Sequence, residues 1–183
     1  MVTPADKLLN HFDRLARTEP KFTCVSDEGV QPRVHVATYF KFPVDAALTG
    51  FTMGLSHSNP PGGSHKELMI SMLDTDDSWA LACGFLAFQL RERCPFLCGE
   101  TINFKDQISP SSRMSAFVVV HPLHISAGDC IVDIGICNVE LMQLIPLYEQ
   151  ERSWLRAGGD LELFLNEYGA LEIMNPNRKE FVA

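Results

Sequence analysis

The sequence feature that most constrains the fold is an almost uninterrupted apolar stretch over residues 79–88. It is too short to span a membrane, which takes about 18 or more consecutive apolar residues, and Gly84 lies within it. Its apolar side chains would surround most of the circumference of a helix, so that little of that helix could be left in water. We therefore predict a central helix that packs inside one globular domain.

The segment before this stretch indicates how the central helix begins and what it packs on. Residues 67–73 are apolar at nearly every position, as in a strand that is covered on both faces. Thr75 is the predicted cap of the helix, and Asp76 and Asp77 are predicted in its first turn, where carboxylates suit the helix dipole. The sequence therefore predicts a helix that lies on a covered sheet.

Further helices are predicted near both ends of the chain. Thr3 is expected to cap a first helix that stops before Pro20. A later helix is predicted to begin at Glu149 and to end at the glycines 158–159, and Asp160 follows as the cap of another. Strand patterns lie between the helices, at residues 21–24, 34–40, 51–57, 101–104, 116–121, 130–137 and 139–145.

The order of these elements indicates an α+β fold rather than a strictly alternating one. A turn at residues 127–129 between neighbouring strand patterns favours antiparallel pairing. Residues 1–183 are predicted to form a single domain with a core of about 20–170 and a polar, mobile C-terminal tail over 175–183. The segment 59–63, Asn-Pro-Pro-Gly-Gly, is predicted to be a surface loop.

Charge and cysteine usage limit the partners and the location that we expect. The chain has 15 Lys and Arg against 23 Asp and Glu, a net charge of −8, and no basic cluster longer than Arg178-Lys179. A nucleic-acid partner is not expected, because phosphates must be neutralised by a basic face. The N-terminus has no signal-peptide pattern, which predicts a cytoplasmic location and reduced cysteines. No cofactor is predicted, since a chain of this length can bury a core without one.

One set of four side chains has the composition of a zinc site. Cys94 and Cys98 form one pair, and His121 and His124 form the other. The His pair is spaced more tightly than in usual zinc sites, so buried thiols with surface imidazoles are the other interpretation. The alternative function is therefore a metal-dependent or thiol hydrolase that uses these four residues.

Other candidate catalytic motifs are incomplete. Ser56 and His57 are adjacent on the predicted strand 51–57, where successive side chains point to opposite faces, so they are not expected to pair as nucleophile and base. The segment 62–66 has the small residues of a phosphate loop but lacks its first glycine and its Gly-Lys-Ser/Thr end. Neither of these two motifs therefore indicates catalysis.

A set of short motifs in a fixed order carries a resemblance to a known family, and it runs from about residue 39 to residue 164. The most specific motif is Ile-Pro-Leu-Tyr-Glu-x-Glu within residues 144–151, and the others precede it along the chain: Tyr39, 52–56, 67–70, Trp79 and 99–102. Together they resemble the suppressor of fused domain family in its short bacterial form. The resemblance implies an α/β sandwich-like domain with a mixed sheet flanked by helices.

The resemblance also implies binding rather than catalysis. Animal members of the family hold transcription factors by protein contact, whereas stand-alone bacterial members look like antitoxin or immunity proteins of toxin systems. No contact residue is carried over from the two-lobed animal members. The expected function is therefore a non-enzymatic protein-binding module that regulates or neutralises a partner protein, which could be toxin-like.

The most specific motif contains the residues that we expect to contact the partner. Pro146 is predicted to end a strand, Glu149 and Glu151 to start a helix, and Tyr148 to lie at the junction. We predict that Tyr148, Glu149 and Glu151 form an acidic, aromatic surface that engages a basic protein, because aromatic rings supply contact area and carboxylates steer the encounter. The oligomeric state is left open by the sequence.

Overall fold

A computed structural model describes residues 2–26, 28–58 and 64–181, so that the predicted loop 59–63 lies outside the described residues. Its helices are α1 (Pro4–Ala16), α2 (Ser78–Leu90), α3 (Glu149–Arg156) and α4 (Leu161–Glu172). Its strands are β1 (Lys21–Cys24), β2 (His35–Phe40), β3 (Leu48–Met53), β4 (His65–Met72), β5 (Thr101–Asn103), β6 (Ala116–Val120), β7 (Ile131–Asp133) and β8 (Asn138–Leu147).

The strands form one mixed, mostly antiparallel sheet, as the fold class predicted. Seven of them follow the order β1-β2-β3-β4-β8-β6-β5, and β7 pairs with β8 as a hairpin. Within the described ranges, β4 and β8 are the one parallel pair, with Met69 opposite Gln143. The last strand along the chain therefore lies at the centre of the sheet, and β1 and β5 lie at its two edges.

Helices cover both faces of the sheet. Helix α2 packs on one face, where Trp79 and Cys83 are fully buried together with side chains of β2, β4, β6 and β8. Helix α1 covers part of the other face, where Phe12 stacks on Phe51 with ring centroids 4.2 Å apart. Helices α3 and α4 cover the rest of that face over Val118 and other side chains of β6 and β8. The predicted central helix and the single-domain α+β architecture are confirmed.

Helix α2 approaches the sheet closely because it carries a glycine at the point of contact. A Cβ atom on Gly84 would lie 2.2 Å from Cγ2 of Val36 and 3.1 Å from Cγ2 of Val25. The distance to Val36 is too short for two carbon atoms and the distance to Val25 is tight, so a larger residue would have to push the helix away from β2. Gly84 thus sets the spacing between α2 and the sheet.

The start of α2 differs from the prediction. The helix begins at Ser78, with Asp77 as its N-cap residue, rather than after Thr75. The carboxylate of Asp74 accepts hydrogen bonds from the backbone of Thr75 and Asp76, which holds this segment in a turn. Asp76 then accepts from the backbone N–H and the hydroxyl of Ser78. Short side chains that bond to nearby backbone groups compete with helix formation, and here the N-cap lies two residues later than predicted, at Asp77 instead of Thr75.

Three predicted strand boundaries are also wrong. The strand pattern 51–57 ends at Met53, and a short 3-10 helix over Leu55–His57 follows. The pattern 130–137 contains the three-residue strand β7 and then a tight turn, which leaves Ile136 72% exposed. Pro146 lies inside β8 rather than at its end. Its carbonyl accepts a hydrogen bond from the side chain of Arg178, so its backbone faces that side chain and not a neighbouring strand. The N–H that proline lacks is therefore not needed for pairing in the sheet.

In the part of the chain that the structure describes, no helix is long and apolar enough to cross a membrane.

The predicted core boundaries of about 20–170 stay a prediction, and burial extends beyond them to Leu8, Phe12 and Arg178.

We predict that Gly84→Ala lowers the free energy of unfolding by about 1–2 kcal/mol. Alanine favours a helix over glycine by up to about 1 kcal/mol, but the clash with Val36 should cost about 1–3 kcal/mol. The matched control is Gly128→Ala, since the nearest atom to a Cβ there is 4.0 Å away. Urea unfolding followed by circular dichroism measures both, and equal stability of the two variants would contradict the close approach.

Candidate functional site

The segment that follows β8 turns directly into α3, and it places the three predicted contact residues in different surroundings. Tyr148 is the N-cap residue, and its backbone N–H donates to the Glu151 carboxylate over 2.9 Å. Tyr148 and Glu151 are 7% and 1% exposed. Only Glu149 projects into solvent, where it pairs with Arg152. The three residues therefore do not form one exposed surface as predicted, because the capping position draws Glu151 inward. Their contact with a partner stays a prediction.

Glu151 forms a buried ion pair with Arg178. Nη1 and Nη2 of Arg178 donate to Oε1 and Oε2 of Glu151 over 2.5 and 2.7 Å, and both side chains are completely buried. Nη2 also donates to the carbonyl of Pro146 over 3.0 Å. Such a two-pronged contact fixes the guanidinium plane against the carboxylate, and each charge compensates the other where water cannot.

Aromatic rings enclose the guanidinium of Arg178. Its Cζ atom lies 5.3 Å from the ring centroid of Tyr148, 5.4 Å from that of Phe164 and 4.4 Å from that of Tyr168. These distances are within the range of cation–π attraction, which strengthens where water is excluded. One ring from the β8–α3 junction and two rings from α4 therefore hold one residue of the C-terminal segment.

Backbone groups of the C-terminal segment are bonded to the same residues. The hydroxyl of Tyr148 donates to the carbonyl of Arg178, and that of Tyr168 donates to the carbonyl of Lys179, each over 2.8 Å. Burial raises the pKa of both hydroxyls, that of Tyr168 to about 12, so that both stay protonated donors. The prediction of a polar, mobile tail is wrong for this segment, because Arg178 finds its partner 27 residues earlier in the chain.

A surface cavity of about 520 Å³ lies beside this cluster. The guanidinium of Arg113 lies over the Tyr148 ring, 5.7 Å from its centroid. Hydroxyls and charges of both signs line the cavity, so it suits a polar segment of a partner better than an apolar one. Its lining consists of Gln107, Pro110, Ser111, Ser112, Arg113, Tyr148 and residues 177–180.

The four residues of the predicted zinc-type site do not form one. Among the residues that the structure describes, no group of three or more His, Cys, Asp or Glu could hold a metal ion. Cys98 is exposed, and Nδ1 of His121 lies 3.9 Å from Oε1 of Glu140. His124 is partly buried, and burial lowers its pKa. The thiol of Cys94 is half-buried, and this burial is the main cause that raises its pKa to about 11, so that Cys94 is a poor nucleophile.

Ser56 and His57 do not pair either, although the reason differs from the predicted one. Both lie on the 3-10 helix, where the Ser56 hydroxyl is buried and donates to Glu67 over 2.7 Å. His57 is exposed. Ser56 therefore does not pair with His57, because its hydroxyl is hydrogen-bonded to the buried carboxylate of Glu67.

A family model described as Suppressor of fused protein (SUFU) matches residues 32–179, which is most of the chain. The chain belongs to the SUFU family. No curated protein sequence matches it. The suspected family resemblance is therefore confirmed, and the matched range ends at the residue that follows Arg178.

Solved structures share the SUFU fold with this chain. A SUFU homologue from Neisseria gonorrhoeae FA 1090 is 17% identical with a TM-score of 0.76, over 98% of this chain and 97% of that one. The structure of a Sufu–Fu complex matches at 15% identity and a TM-score of 0.72, over 97% of this chain and 91% of the other. Drosophila Suppressor of Fused matches at 13% identity and a TM-score of 0.72, over 97% of this chain and 51% of its own.

We predict that Glu151→Gln and Arg178→Met each lower the free energy of unfolding by about 3–5 kcal/mol, because each leaves a buried charge without its counter-charge. The double variant should be destabilised by clearly less than the sum of the two, since it leaves neither charge behind. Urea unfolding of the four proteins measures the coupling. Additive effects would contradict a functional ion pair between the two side chains.

We also predict that iodoacetamide modifies Cys24 at least about 100-fold faster than Cys94 at pH 8, because only the thiolate reacts. Hydrogen bonding to Ser26 lowers the pKa of the exposed Cys24, whereas only about a thousandth of Cys94 is ionised at that pH. Peptide mapping by mass spectrometry measures the rates. Cys24→Ser is the control, and comparable rates in the wild-type protein would contradict the burial of Cys94.

Proposed function

We propose that this SUFU-family protein is a non-catalytic binding module that regulates or neutralises a partner protein. The observation that carries the proposal is the fold match, over nearly the whole chain, to a Sufu that was solved in complex with another protein, Fu. It is supported by the side chains of the alternative function: among the residues that the structure describes, Cys94, Cys98, His121 and His124 belong to no group of three or more possible metal ligands, and Cys94 is a poor nucleophile. Binding rather than turnover is the activity that this arrangement favours.

The partner that we propose is a protein with a basic surface, and a toxin is the kind of partner that suits a short bacterial form. The net charge of −8 attracts basic proteins and raises the rate of encounter with them. Glu149 supplies an exposed carboxylate at the start of α3, next to Tyr148 and the cavity that Tyr148 lines. We propose a cytoplasmic location. We expect no nucleic-acid partner, because a chain with a net charge of −8 repels phosphates.

The test uses proteins encoded next to this one, which are the natural candidates for a toxin or another regulated partner. We predict that Glu149→Lys weakens binding to the true partner about 5- to 10-fold at low salt, and less at high salt, as expected for a charge at the rim of an interface. The measurement is biolayer interferometry with purified proteins at two salt concentrations. A growth assay with the co-expressed partner tests neutralisation.

Glu162→Lys is the matched control, because Glu162 is also an exposed acid in the first turn of a helix. Both reversals should lower stability by similar, small amounts through the helix dipole. An equal loss of affinity in the two variants would remove Glu149 from the interface. Failure of every neighbouring gene product to bind, together with turnover of a small molecule that a single cleft substitution abolishes, would overturn the proposed function.

A further inference from the structure

A second cavity, of about 300 Å³, lies at the opposite edge of the sheet from β5, between the start of α1 and the ends of β1 to β3. Leu8 of α1, Phe22 of β1 and Met53 of β3 line it with apolar surface. Phe22 is 49% exposed, so a large aromatic side chain at a sheet edge is left half uncovered. A space of this volume with such walls accommodates one large apolar side chain of a ligand.

The rim of this cavity is cationic, although the protein as a whole is acidic. Arg33, His35 and His57 line it, and no acidic side chain does among the described lining residues. The guanidinium supplies a permanent positive charge, and the imidazoles supply further N–H groups. In a chain with a net charge of −8, this local excess of basic groups selects a ligand that carries a carboxylate.

The cavity wall is held in place by a buried carboxylate. Glu67 is fully buried, and its Oε1 accepts from the backbone of Gly54 over 2.9 Å, the backbone of Ser56 over 3.0 Å and the Ser56 hydroxyl over 2.7 Å. Gly54 has φ of +117°, and a Cβ there would lie 2.1 Å from the carbonyl oxygen of Arg33. Glu67 and Gly54 thus fix the turn that brings His57 to the rim beside Arg33.

The edge of β1 next to the cavity is open. Among the described strands, β1 pairs only with β2. The backbone N–H of Val25 donates to the carbonyl of Val34, and bonded pairs alternate along an antiparallel ladder. The backbone groups of Phe22 and Cys24 therefore point away from β2, where a further strand could bond to them.

We propose that this cavity and the edge of β1 together bind an extended acidic segment of the partner protein. The segment pairs with β1, places one apolar side chain beside Phe22, and places a carboxylate two residues along the same face next to Arg33. This inference rests on the proposed protein-binding function and gives that function a second contact. The acidic segment is a different part of the partner from the basic surface that we propose to contact Glu149. Glu149 lies near β5 and β6, at the opposite edge of the sheet from β1.

The probe is a dye-labelled, acetylated peptide amide of sequence Thr-Thr-Leu-Thr-Glu-Thr-Thr, in which the leucine and the glutamate share one face of a strand. Fluorescence anisotropy measures its affinity for the whole protein. We expect Phe22→Ser to weaken binding at least 5-fold. Phe85→Ser is the matched control, since Phe85 is 47% exposed but lies on α2, and it should leave the affinity unchanged.

A charge exchange tests the carboxylate contact. Arg33→Glu should weaken binding of the glutamate peptide at least 10-fold. The Arg33→Glu variant should bind a second peptide, with lysine in place of glutamate, more tightly than the wild-type protein binds that second peptide. N-methylation of the peptide nitrogens that face β1 should abolish binding, because it removes the strand hydrogen bonds. Each of these variants lies at the surface, and thermal unfolding checks that it is folded.

Any of four results would overturn the inference. The first two are equal affinity of the wild-type protein for the glutamate and lysine peptides, and unchanged affinity for the N-methylated peptide. The other two are displacement of the labelled peptide by the fatty-acid anion decanoate as strong as by unlabelled peptide, and self-association of the protein through β1 in analytical sedimentation. Failure here is distinct from failure of the proposed function. If the partner protein binds and responds to Glu149→Lys but not to Phe22→Ser, the proposed function stands and this second contact falls.

Discussion

The buried pair of Glu151 and Arg178 is the interaction on which the C-terminal third of the structure depends. Either charge alone would be strongly unfavourable in the interior, so neither side chain could occupy its place without the other. The pair joins β8, the start of α3 and the C-terminal segment at one point, and three aromatic rings shield it from water. It also fixes one wall of the cavity beside Tyr148, because residues 177–180 line that cavity.

The fold leaves only certain places for a partner. Helices cover both faces of the sheet, so the broad surface that a sheet could otherwise offer is occupied by the protein itself. Surfaces at the two edges remain, one near β1 and one near α3, which packs on β5 and β6. The polar cavity beside Tyr148 and the apolar cavity beside Phe22 lie at these two edges, and they differ in the chemistry that each would bind.

Features that depend on neighbouring residues could be predicted from the sequence, and features that depend on distant ones could not. The capping box of Thr3 and Asp6 and the cap at Asp160 were predictable because donor and acceptor are within three residues. The strand pattern at 51–57 misled because Glu67, eleven residues beyond Ser56, pulls that segment into a turn. Arg178 looked like part of a polar tail because its partner is far away in the chain.

The candidate site shows the same division. The Ile-Pro-Leu-Tyr-Glu-x-Glu segment lies at a strand–helix junction, as predicted, since that position is encoded locally. Its sequence also predicted an acidic helix start, but an acid at the third helical position can either face water or turn back to the N-cap backbone. The orientation of that acid depends on whether a buried cation is available to pair with it. In this fold Arg178 is that cation. The buried Arg178 therefore gives Glu151 a structural role where the local pattern predicts an exposed acid, and Glu149 is the one acid of the segment that is left in solvent.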